Sequence, residues 1–383
     1  MNFKAFENRI CLSTPTMHGE EMSFVKEAFD RNWIAPLGFN CDGFETEMDA
    51  YINVSEGNYH SLCLNSGTAA LHLAVKLAGV GRGDVVLCSD MTFAATVNPA
   101  VYEGATTVFI DSEKETWNMD PDALEKAFEK YPEAKAVLLV HLYGIPAKLD
   151  EIISICKKHT AVLIEDAAEA LSAEYNGKKC GTFGKYGVLS FNGNKIITTS
   201  GGGMLVCDNV EDRKKALFWA TQARENFPWY QHEEIGYNYR MSNVVAGIGR
   251  GQLIHLEEHR DRKEEIYRRY ENAFVDLPVT MNPYLEGSKP NFWLSCFTIN
   301  EGCNVDPLDI MKILDDHNVE ARPIWKPMHM QPVFEGCDFI SVAEKAVNED
   351  IFARGLCLPS DIKMTEEEQN YVIDIIKSCF EGE

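Results

Sequence analysis

The chain has 383 residues, of which 45% are apolar and 25% are charged, a balance typical of a folded globular protein of about two domains. Acidic residues outnumber basic ones by 59 to 36, so the formal net charge is −23. Such a surface would repel nucleic acid and anionic membranes, and we expect neither as a partner. A nucleotide-linked small molecule is not excluded, because a local pocket needs only a few donors to hold its phosphates.

The first residues and the cysteines indicate the compartment. The start, MNFKAFENRICLSTP, lacks the apolar stretch of a signal peptide, and no later run approaches the roughly 18 apolar residues of a membrane span. The twelve cysteines include no C-x-x-C pair and no Cys/His cluster with the spacing of a zinc site, so we expect no metal. Buried free thiols are typical of a reducing compartment, which predicts a cytoplasmic protein.

Residues 1–55 are predicted to form an N-terminal arm, with helices over 20–31 and near 42–52 joined by the turn APLG. From about residue 56, short apolar runs alternate with amphipathic segments as far as the run AVLIEDAA. This alternation is typical of βα units on a largely parallel sheet that is buried on both faces. The helices predicted between these strands cover 68–79, 93–103, 121–130 and 148–158.

The remaining chain completes this sheet and adds a second unit. Two β-like runs, GVLSFN and GGGMLVCDN, precede a mostly helical stretch from 210 to about 275, in which the charges of 256–272 indicate a solvated connecting helix. The apolar run FWLSCFTI, a helix over 306–317 and two terminal helices follow. The predicted fold is α/β: a large domain at 56–275 with a mostly parallel central sheet flanked by helices, and a smaller C-terminal α+β domain at 276–383.

Three polar segments of the predicted large domain adjoin strand-like runs. Residues 65–70 (NSGTAA) open a helix whose free amides and dipole can hold a phosphate, although Ser and Thr are also ordinary helix caps. Asp166 ends an apolar strand, where it either faces a ligand crevice or caps a following helix. Lys195 lies between a strand ending at Ser190 and the glycine run 201–203, where desolvation would make it a carbonyl nucleophile; most lysines are instead surface charges.

In combination, a phosphate-binding helix start, an aspartate about a hundred residues on and a lysine about thirty further follow the order found in fold-type I enzymes of pyridoxal phosphate. The chain also resembles the DegT/StrS family of sugar-nucleotide aminotransferases over essentially its whole length. The segments HLYGIPAKLDEI, LIEDAAEALSAEYNGKKCGTFG, SFNGNKIITTSGGGM and GYNYRMSN carry this resemblance. Within the family, WIAPLG, TQAREN and EARPIWKPMHMQPVF are similar to segments of the transaminases of the bacillosamine pathway.

The resemblance implies roles for five residues at the cofactor. Lys195 corresponds to the catalytic lysine that binds the cofactor covalently, and Asp166 to the partner of its pyridine nitrogen. Gly67 and Thr68 are similar to the phosphate-binding residues, and Ser190 adds a hydroxyl from the lysine loop. We therefore expect pyridoxal 5'-phosphate as the cofactor.

Three further positions follow from the resemblance. Phe93 falls where the family places an aromatic residue against the cofactor ring, with a core residue at a helix start as the alternative. Glu169 is found where many relatives have Gln or His, and the bacillosamine branch is similar in having Glu. Asn238 matches an asparagine that reaches the phosphate of the neighbouring subunit, which implies a homodimer with active sites shared between subunits.

The implied reaction is transamination, with L-glutamate, of the C4 keto group of a UDP-linked 4-keto-6-deoxy-N-acetylglucosamine. Arg224 and Arg322 are the candidates for the diphosphate, and Arg322 and His329 lie where relatives contact the sugar nucleotide, although a surface arginine and a turn histidine are alternatives. A GDP-4-keto-6-deoxymannose aminotransferase and a non-catalytic regulator on the same fold are the alternative functions. A sugar dehydratase of this fold would have histidine in place of Lys195, and nicotinamide or P-loop enzymes would need glycine motifs that the chain lacks.

Overall fold

The computed structural model describes residues 6–53 and 58–381. Its α-helices are α1 (Glu20–Asp30), α2 (Phe39–Ile52), α3 (Gly67–Leu77), α4 (Ala94–Tyr102), α5 (Pro121–Lys130), α6 (Leu149–His159), α7 (Val210–Ala220), α8 (Asn243–Leu253), α9 (Leu256–Ala273), α10 (Pro307–Asp316), α11 (Val347–Arg354) and α12 (Glu366–Cys379). Its strands are β1 (His60–Leu64), β2 (Val85–Ser89), β3 (Thr106–Ile110), β4 (Ala136–Val140), β5 (Val162–Asp166), β6 (Glu174–Tyr175), β7 (Lys178–Lys179), β8 (Tyr186–Ser190), β9 (Gly203–Cys207), β10 (Val279–Met281), β11 (Cys296–Ile299), β12 (Arg322–Pro323), β13 (Asp338–Ile340) and β14 (Gly355–Cys357).

The central sheet has the strand order β1-β9-β8-β5-β4-β2-β3-β13. Strand β9 runs antiparallel to both of its neighbours, whereas all the other pairs are parallel. Since β1 and β8 are both antiparallel to β9, they run in the same direction as the parallel strands. The carboxyl ends of β1, β5 and β8 therefore meet at one edge of the sheet, and this mixed, helix-flanked sheet confirms the predicted α/β class.

Helices cover both faces of this sheet. Alternate residues of each strand contact different helices: Val86 and Cys88 of β2 pack with α3 and α4, whereas Val85 and Leu87 pack with α5 and α6. The arm helices α1 and α2 pack against α8, and α2 also contacts β1. The predicted end of the arm, between 55 and 56, falls outside the described residues.

The prediction of a mostly helical stretch from 210 to about 275 is wrong for 221–242, which contain no helix. The backbone of this segment is bonded to neighbouring elements instead: the Tyr239 amide donates to the Ala220 carbonyl, and the Tyr239 carbonyl accepts from the Asn65 amide. Residues 256–272 are helical as predicted, in α9. That helix is not simply solvated, because one of its faces, with Ile266 and Tyr270, is buried in the C-terminal core.

The C-terminal part of the chain forms a second, antiparallel sheet in the order β10-β11-β14-β12, with α9, α10 and α12 packed around its core. Strand β13 from the same part of the chain instead pairs in parallel with β3 of the central sheet, with Asp338 opposite Val108. The two units are thus joined by a shared strand, and the domain boundary near 275 stays a prediction. None of the described helices combines the length and the apolar composition of a membrane span.

Candidate active site

The start of α3 lies against the carboxyl end of β8. Ser66 caps the helix by accepting a hydrogen bond from the Ala69 amide at 3.1 Å. Gly203, at the start of β9, is opposite both Leu64 and Ser190, and a Cβ atom on it would lie 2.3 Å from the Gly67 nitrogen. The absence of a side chain at 203 therefore allows the first turn of α3 to approach the sheet edge.

This contact creates a small polar cradle. The first-turn amides of α3 at Gly67 and Thr68 have the free donors and partial positive charge of a helix N-terminus. A Cβ on Gly67 would lie 3.3 Å from the Ser190 Cβ, so glycine leaves room beside the Ser190 hydroxyl. Two amides and the Ser190 hydroxyl thus line the same part of the cavity, where a phosphate group would fit.

Asp166 is the last residue of β5, and it is buried. One carboxylate oxygen accepts a hydrogen bond from the Thr96 hydroxyl at 2.6 Å and the other accepts one from the Ala168 amide at 3.1 Å. Burial raises the pKa of Asp166, and these two hydrogen bonds oppose the rise. No helix follows β5 directly, so the alternative interpretation of Asp166 as a helix cap is wrong.

Lys195 lies in the loop after β8, and its ammonium group is 3.5 Å from a Glu169 carboxylate oxygen. The other Glu169 oxygen accepts a hydrogen bond from the Tyr143 amide at 2.7 Å. Burial raises the pKa of Glu169 to about 7, against the attraction of Lys195. The Lys195 nitrogen also lies 4.0 Å from the centre of the Trp293 ring, so an acid group and an aromatic face both contact the lysine head.

A cavity of about 670 Å³ joins these groups. Eight of the predicted site residues line it: Gly67, Thr68, Phe93, Asp166, Glu169, Ser190, Lys195 and Arg322. Phe93 is 63% exposed and precedes α4, so the alternative interpretation of this residue as core is wrong. Arg322 is exposed but is not free, since its guanidinium is 3.0 Å from Glu320.

Three predicted residues do not line this cavity. Asn238 lies in the segment 221–242, where its side-chain oxygen accepts a hydrogen bond from Gln222 at 3.2 Å. Arg224 is exposed in the same segment, with its guanidinium 5.6 Å from the centre of the Tyr230 ring. The structure of one chain therefore places neither residue in its own cavity.

His329 is also outside the cavity, in a short turn of the C-terminal part. Its Nδ1 is 2.6 Å from Asp90, and its Nε2 is 3.2 Å from Glu349. Burial alone would lower the pKa of His329, but the two carboxylates raise it overall. Both ring nitrogens are engaged, which makes His329 a bridge between the central sheet and the C-terminal part.

The sequence analysis missed Thr96 and Trp293, both of which line the cavity. The sequence offered one signal for Thr96, its spacing of four residues from Thr92, which on a helix brings two side chains together. In the structure their hydroxyls are 2.6 Å apart. Trp293 had no signal of its own, since the run FWLSCFTI is typical of an ordinary buried strand.

Among residues 6–53 and 58–381, one group of side chains is close enough to share a metal ion. The candidate ligand atoms of His18, His255 and Glu258 lie within 4.8 Å of one another. The rings of His18 and His255 are stacked with their centres 3.7 Å apart. This group is outside the cavity, and no sequence motif indicated it because His18 is far from the other two along the chain.

The residues of the cavity fit pyridoxal phosphate. The cradle at α3 suits its phosphate, and a buried carboxylate with two hydrogen-bond partners has lone pairs left for a protonated ring nitrogen. A lysine of restricted exposure, 12% for its side chain, is available for the aldehyde.

Comparisons with known proteins agree with this fit. A model of the DegT/DnrJ/EryC1/StrS aminotransferase family matches residues 15–377. EpsN of Bacillus subtilis (strain 168), whose name assigns it provisionally to the pyridoxal phosphate-dependent aminotransferases, is 48% identical over 378 residues, which cover 97% of this chain and 96% of EpsN. GDP-perosamine synthase of Caulobacter vibrioides is 35% identical over 369 residues, which cover 95% of this chain and 96% of that protein.

A solved structure shows the same fold. PseC of Helicobacter pylori, an aminotransferase involved in the biosynthesis of pseudoaminic acid, matches with a TM-score of 0.88 over 98% of this chain and 100% of its own, at 24% identity. The chain belongs to the DegT/DnrJ/EryC1/StrS aminotransferase family, and it is a pyridoxal phosphate-dependent sugar aminotransferase. The predicted fold-type I architecture, enzyme class and cofactor are thereby confirmed.

Proposed function

We propose that this enzyme transfers the amino group of L-glutamate to C4 of UDP-4-keto-6-deoxy-N-acetylglucosamine, giving UDP-4-amino-4,6-dideoxy-N-acetylglucosamine and the 2-oxo acid. The observation that supports transamination at this site is the convergence of Lys195, Glu169 and the buried Asp166 in one cavity. The choice of sugar rests on WIAPLG, TQAREN, PMHMQPVF and Glu169, which are similar to the bacillosamine branch.

The proposed roles follow from the position of each group. Bound pyridoxal phosphate supplies a conjugated ring that takes up the electrons of a C–H bond beside an amino group. Asp166 holds a positive charge at the ring nitrogen, and the amides of Gly67 and Thr68 hold the phosphate together with the Ser190 hydroxyl. The Lys195 amine accepts the proton of the glutamate α-carbon and later delivers one to sugar C4.

We also propose a homodimer. Large apolar side chains are exposed in two parts of one chain: Trp33, Ile34 and Leu37 after α1, and Phe227, Trp229, Tyr230 and Ile235 between α7 and α8. Exposed groups of this size are typical of a protein interface. Asn238 and Arg224 lie in the second part but outside their own cavity, which supports a role in the partner's site.

Complementation tests this sharing. We expect Lys195→Ala and Asn238→Ala homodimers to be inactive or weakened, and mixed dimers of the two to regain activity, because one of their two sites then has neither substitution. Light scattering gives the oligomeric state. A fully active monomer, or no recovery on mixing when exchange of subunits is demonstrated, would exclude shared sites.

On the substrate side, Arg322 is the proposed contact of the diphosphate. A net charge of −23 opposes a dianion, so positive groups must be concentrated at the site. We expect Arg322→Ala to raise the KM for the sugar nucleotide with less effect on the half-reaction with glutamate, since glutamate does not reach the diphosphate site. An equal loss in both half-reactions would place Arg322 elsewhere in the mechanism.

A second candidate substrate is GDP-4-keto-6-deoxymannose, which the 35% identity to a GDP-perosamine synthase supports. The deciding assay incubates the enzyme with glutamate, cofactor and either keto sugar, and compares kcat/KM. We expect a higher kcat/KM for the UDP sugar. A clear preference for the GDP sugar would contradict the proposed substrate but not the proposed transamination. A regulator without activity is disfavoured, because both Lys195 and Asp166 are present.

We further propose that the enzyme acts in the cytoplasm. All twelve cysteines are free thiols, and such thiols stay reduced in that compartment. Fractionation of the source cells with an antibody to the enzyme tests this location.

A further inference from the structure

Lys263 of α9 is a buried cation outside the cavity. It is only 2% exposed, and its ammonium group donates to three oxygens: the carbonyls of Ser360 at 2.7 Å and Trp293 at 2.9 Å, and the hydroxyl of Ser13 at 3.3 Å. Within the described chain no carboxylate lies within 4.0 Å of it. Burial lowers the pKa of Lys263 to about 7, against the attraction of Asp361.

Two of these three partners lead to the catalytic lysine. The Ser13 hydroxyl donates to the Asn194 carbonyl at 3.0 Å, and the Trp293 indole donates to the same carbonyl at 2.7 Å. Asn194 immediately precedes Lys195, and the Trp293 ring also contacts the Lys195 ammonium. The Lys263 ammonium is thus connected to the Asn194 carbonyl in two ways, once through Ser13 and once through Trp293.

The partners of Lys263 come from distant parts of the chain. Ser13 belongs to the N-terminal arm, Trp293 precedes β11, and Ser360 precedes α12. If these segments only needed a side chain to pack against, lysine would be unfavourable, because burying its ammonium costs hydration free energy that hydrogen bonds must replace. Methionine would fill a similar space without that cost, so the ammonium itself requires an explanation.

We propose that Lys263 is a positioning residue for the catalytic lysine: by fixing Ser13 and Trp293, it holds the Asn194 carbonyl and so sets where the Lys195 amine lies in the cavity. This inference rests on the proposed role of Lys195. Lys263 does not contact the cofactor, and its effect passes through the backbone of the lysine loop.

The test compares Lys263→Met with Lys179→Met, a matched control. Lys179 is also buried and bonded, 2.8 Å from Glu174, but contacts none of the residues next to Lys195. Two quantities are measured on the cofactor-free proteins, well below their unfolding temperatures. The first is the rate of covalent capture of pyridoxal phosphate, followed by borohydride reduction and peptide mass spectrometry; the second is the affinity for pyridoxamine phosphate, which has no aldehyde.

We expect Lys263→Met to slow covalent capture at least about tenfold, because small displacements of a reacting group have large effects on rate. Affinity for pyridoxamine phosphate should change little, since the phosphate cradle and Asp166 are intact. Lys179→Met should leave both quantities unchanged. Wild-type capture in Lys263→Met, or an equal loss of capture and affinity, would overturn the positioning role.

Ser13→Ala covers the case in which Lys263→Met does not fold. It removes one of the two routes to Asn194, so we expect capture to slow about threefold, as for one hydrogen bond; an unchanged rate would overturn the proposal. The lysine that is labelled in the wild-type protein distinguishes a failure of the positioning role from a failure of the proposed function. Labelling of a lysine other than Lys195 in the wild type would refute the proposed function, and this inference with it.

Discussion

The buried end of the cavity and its exposed side are built in different ways. At the buried end, Asp166 and Ser190 terminate adjacent strands, and their positions are fixed by the register of the sheet. At the exposed side, Phe93 is 63% exposed and the Arg322 side chain 67% exposed. One chain therefore brings Lys195, Asp166 and Ser190 together at the buried end, whereas Phe93 and Arg322 on the other side are open to solvent, where the proposed partner subunit would contact them.

The same contrast exists between two neighbouring carboxylates of β5. Glu165 accepts hydrogen bonds from His141 at 2.9 Å and from backbone amides that include Gly181 at 2.9 Å. Burial alone would raise the pKa of Glu165, but these partners lower it overall. Asp166 has two hydrogen-bond donors in the described part of the chain, Thr96 and Ala168, and its pKa is raised by burial. Adjacent strand residues point to opposite faces, so one carboxylate is committed to the fold and the other keeps lone pairs for a ligand.

The largest expected effect belongs to Lys195→Ala. Loss of acid–base catalysis alone lowers kcat by roughly 100- to 10,000-fold, and the fold should be unaffected because the side chain lies at the cavity wall. Steady-state kinetics and thermal unfolding are the measurements. Near wild-type turnover would show that the buried end of the cavity is not the reaction centre.

The two carboxylates are separated by Asp166→Asn and Glu165→Gln. We expect Asp166→Asn to weaken cofactor binding by about 1.5 to 3 kcal/mol with little change in unfolding, since a charge-assisted bond to the ligand is lost. Glu165→Gln should destabilise the fold by about 1 to 3 kcal/mol, because one of the two oxygens that accept from His141 and from backbone amides is replaced by an NH2 group, which cannot accept. Cofactor titration and urea unfolding check both, and interchanged effects would reverse the assignment.

Glu169→Gln tests a pH dependence. The folded protein binds the Glu169 proton more tightly than the unfolded chain does, with a pKa raised from 4.5 to about 7. Stability therefore falls as pH rises between these values, and the variant lacks this fall. We expect the cofactor-free variant and wild type to unfold alike near pH 5, and the variant to be more stable by up to about 3 kcal/mol at pH 8. Parallel curves of unfolding free energy against pH would contradict the raised pKa.

The smallest effect is expected for Thr96→Val. Asp166 then loses its hydroxyl donor but keeps the Ala168 amide, so cofactor affinity should fall by about 1 kcal/mol. Thr96→Ser retains the hydroxyl and is the control. Equal affinities for the two variants would show that this hydroxyl does not orient Asp166.

Sequence patterns predicted the strands and the site residues that are recognisable from their neighbours along the chain. Apolar runs marked the strands, and Asp166 and Lys195 were identified from their places beside those runs. The segment 221–242 was mispredicted because its backbone bonds to distant elements, which periodicity does not register. The burial of Lys263 was not predicted for a related reason. A lysine in a helix rich in charged residues is usually exposed, and only the tertiary structure shows that this one is buried.

The pairing of β13 with β3 has a consequence for how the chain is made. The edge of β3 is covered by residues near 340, which leave the ribosome after most of the chain. Until then the sheet presents an open edge, the kind of surface on which partly folded chains associate. Truncation before Asp338 would make that state permanent, so we expect such a fragment to aggregate even though Asp166, Ser190 and Lys195 are all present in it.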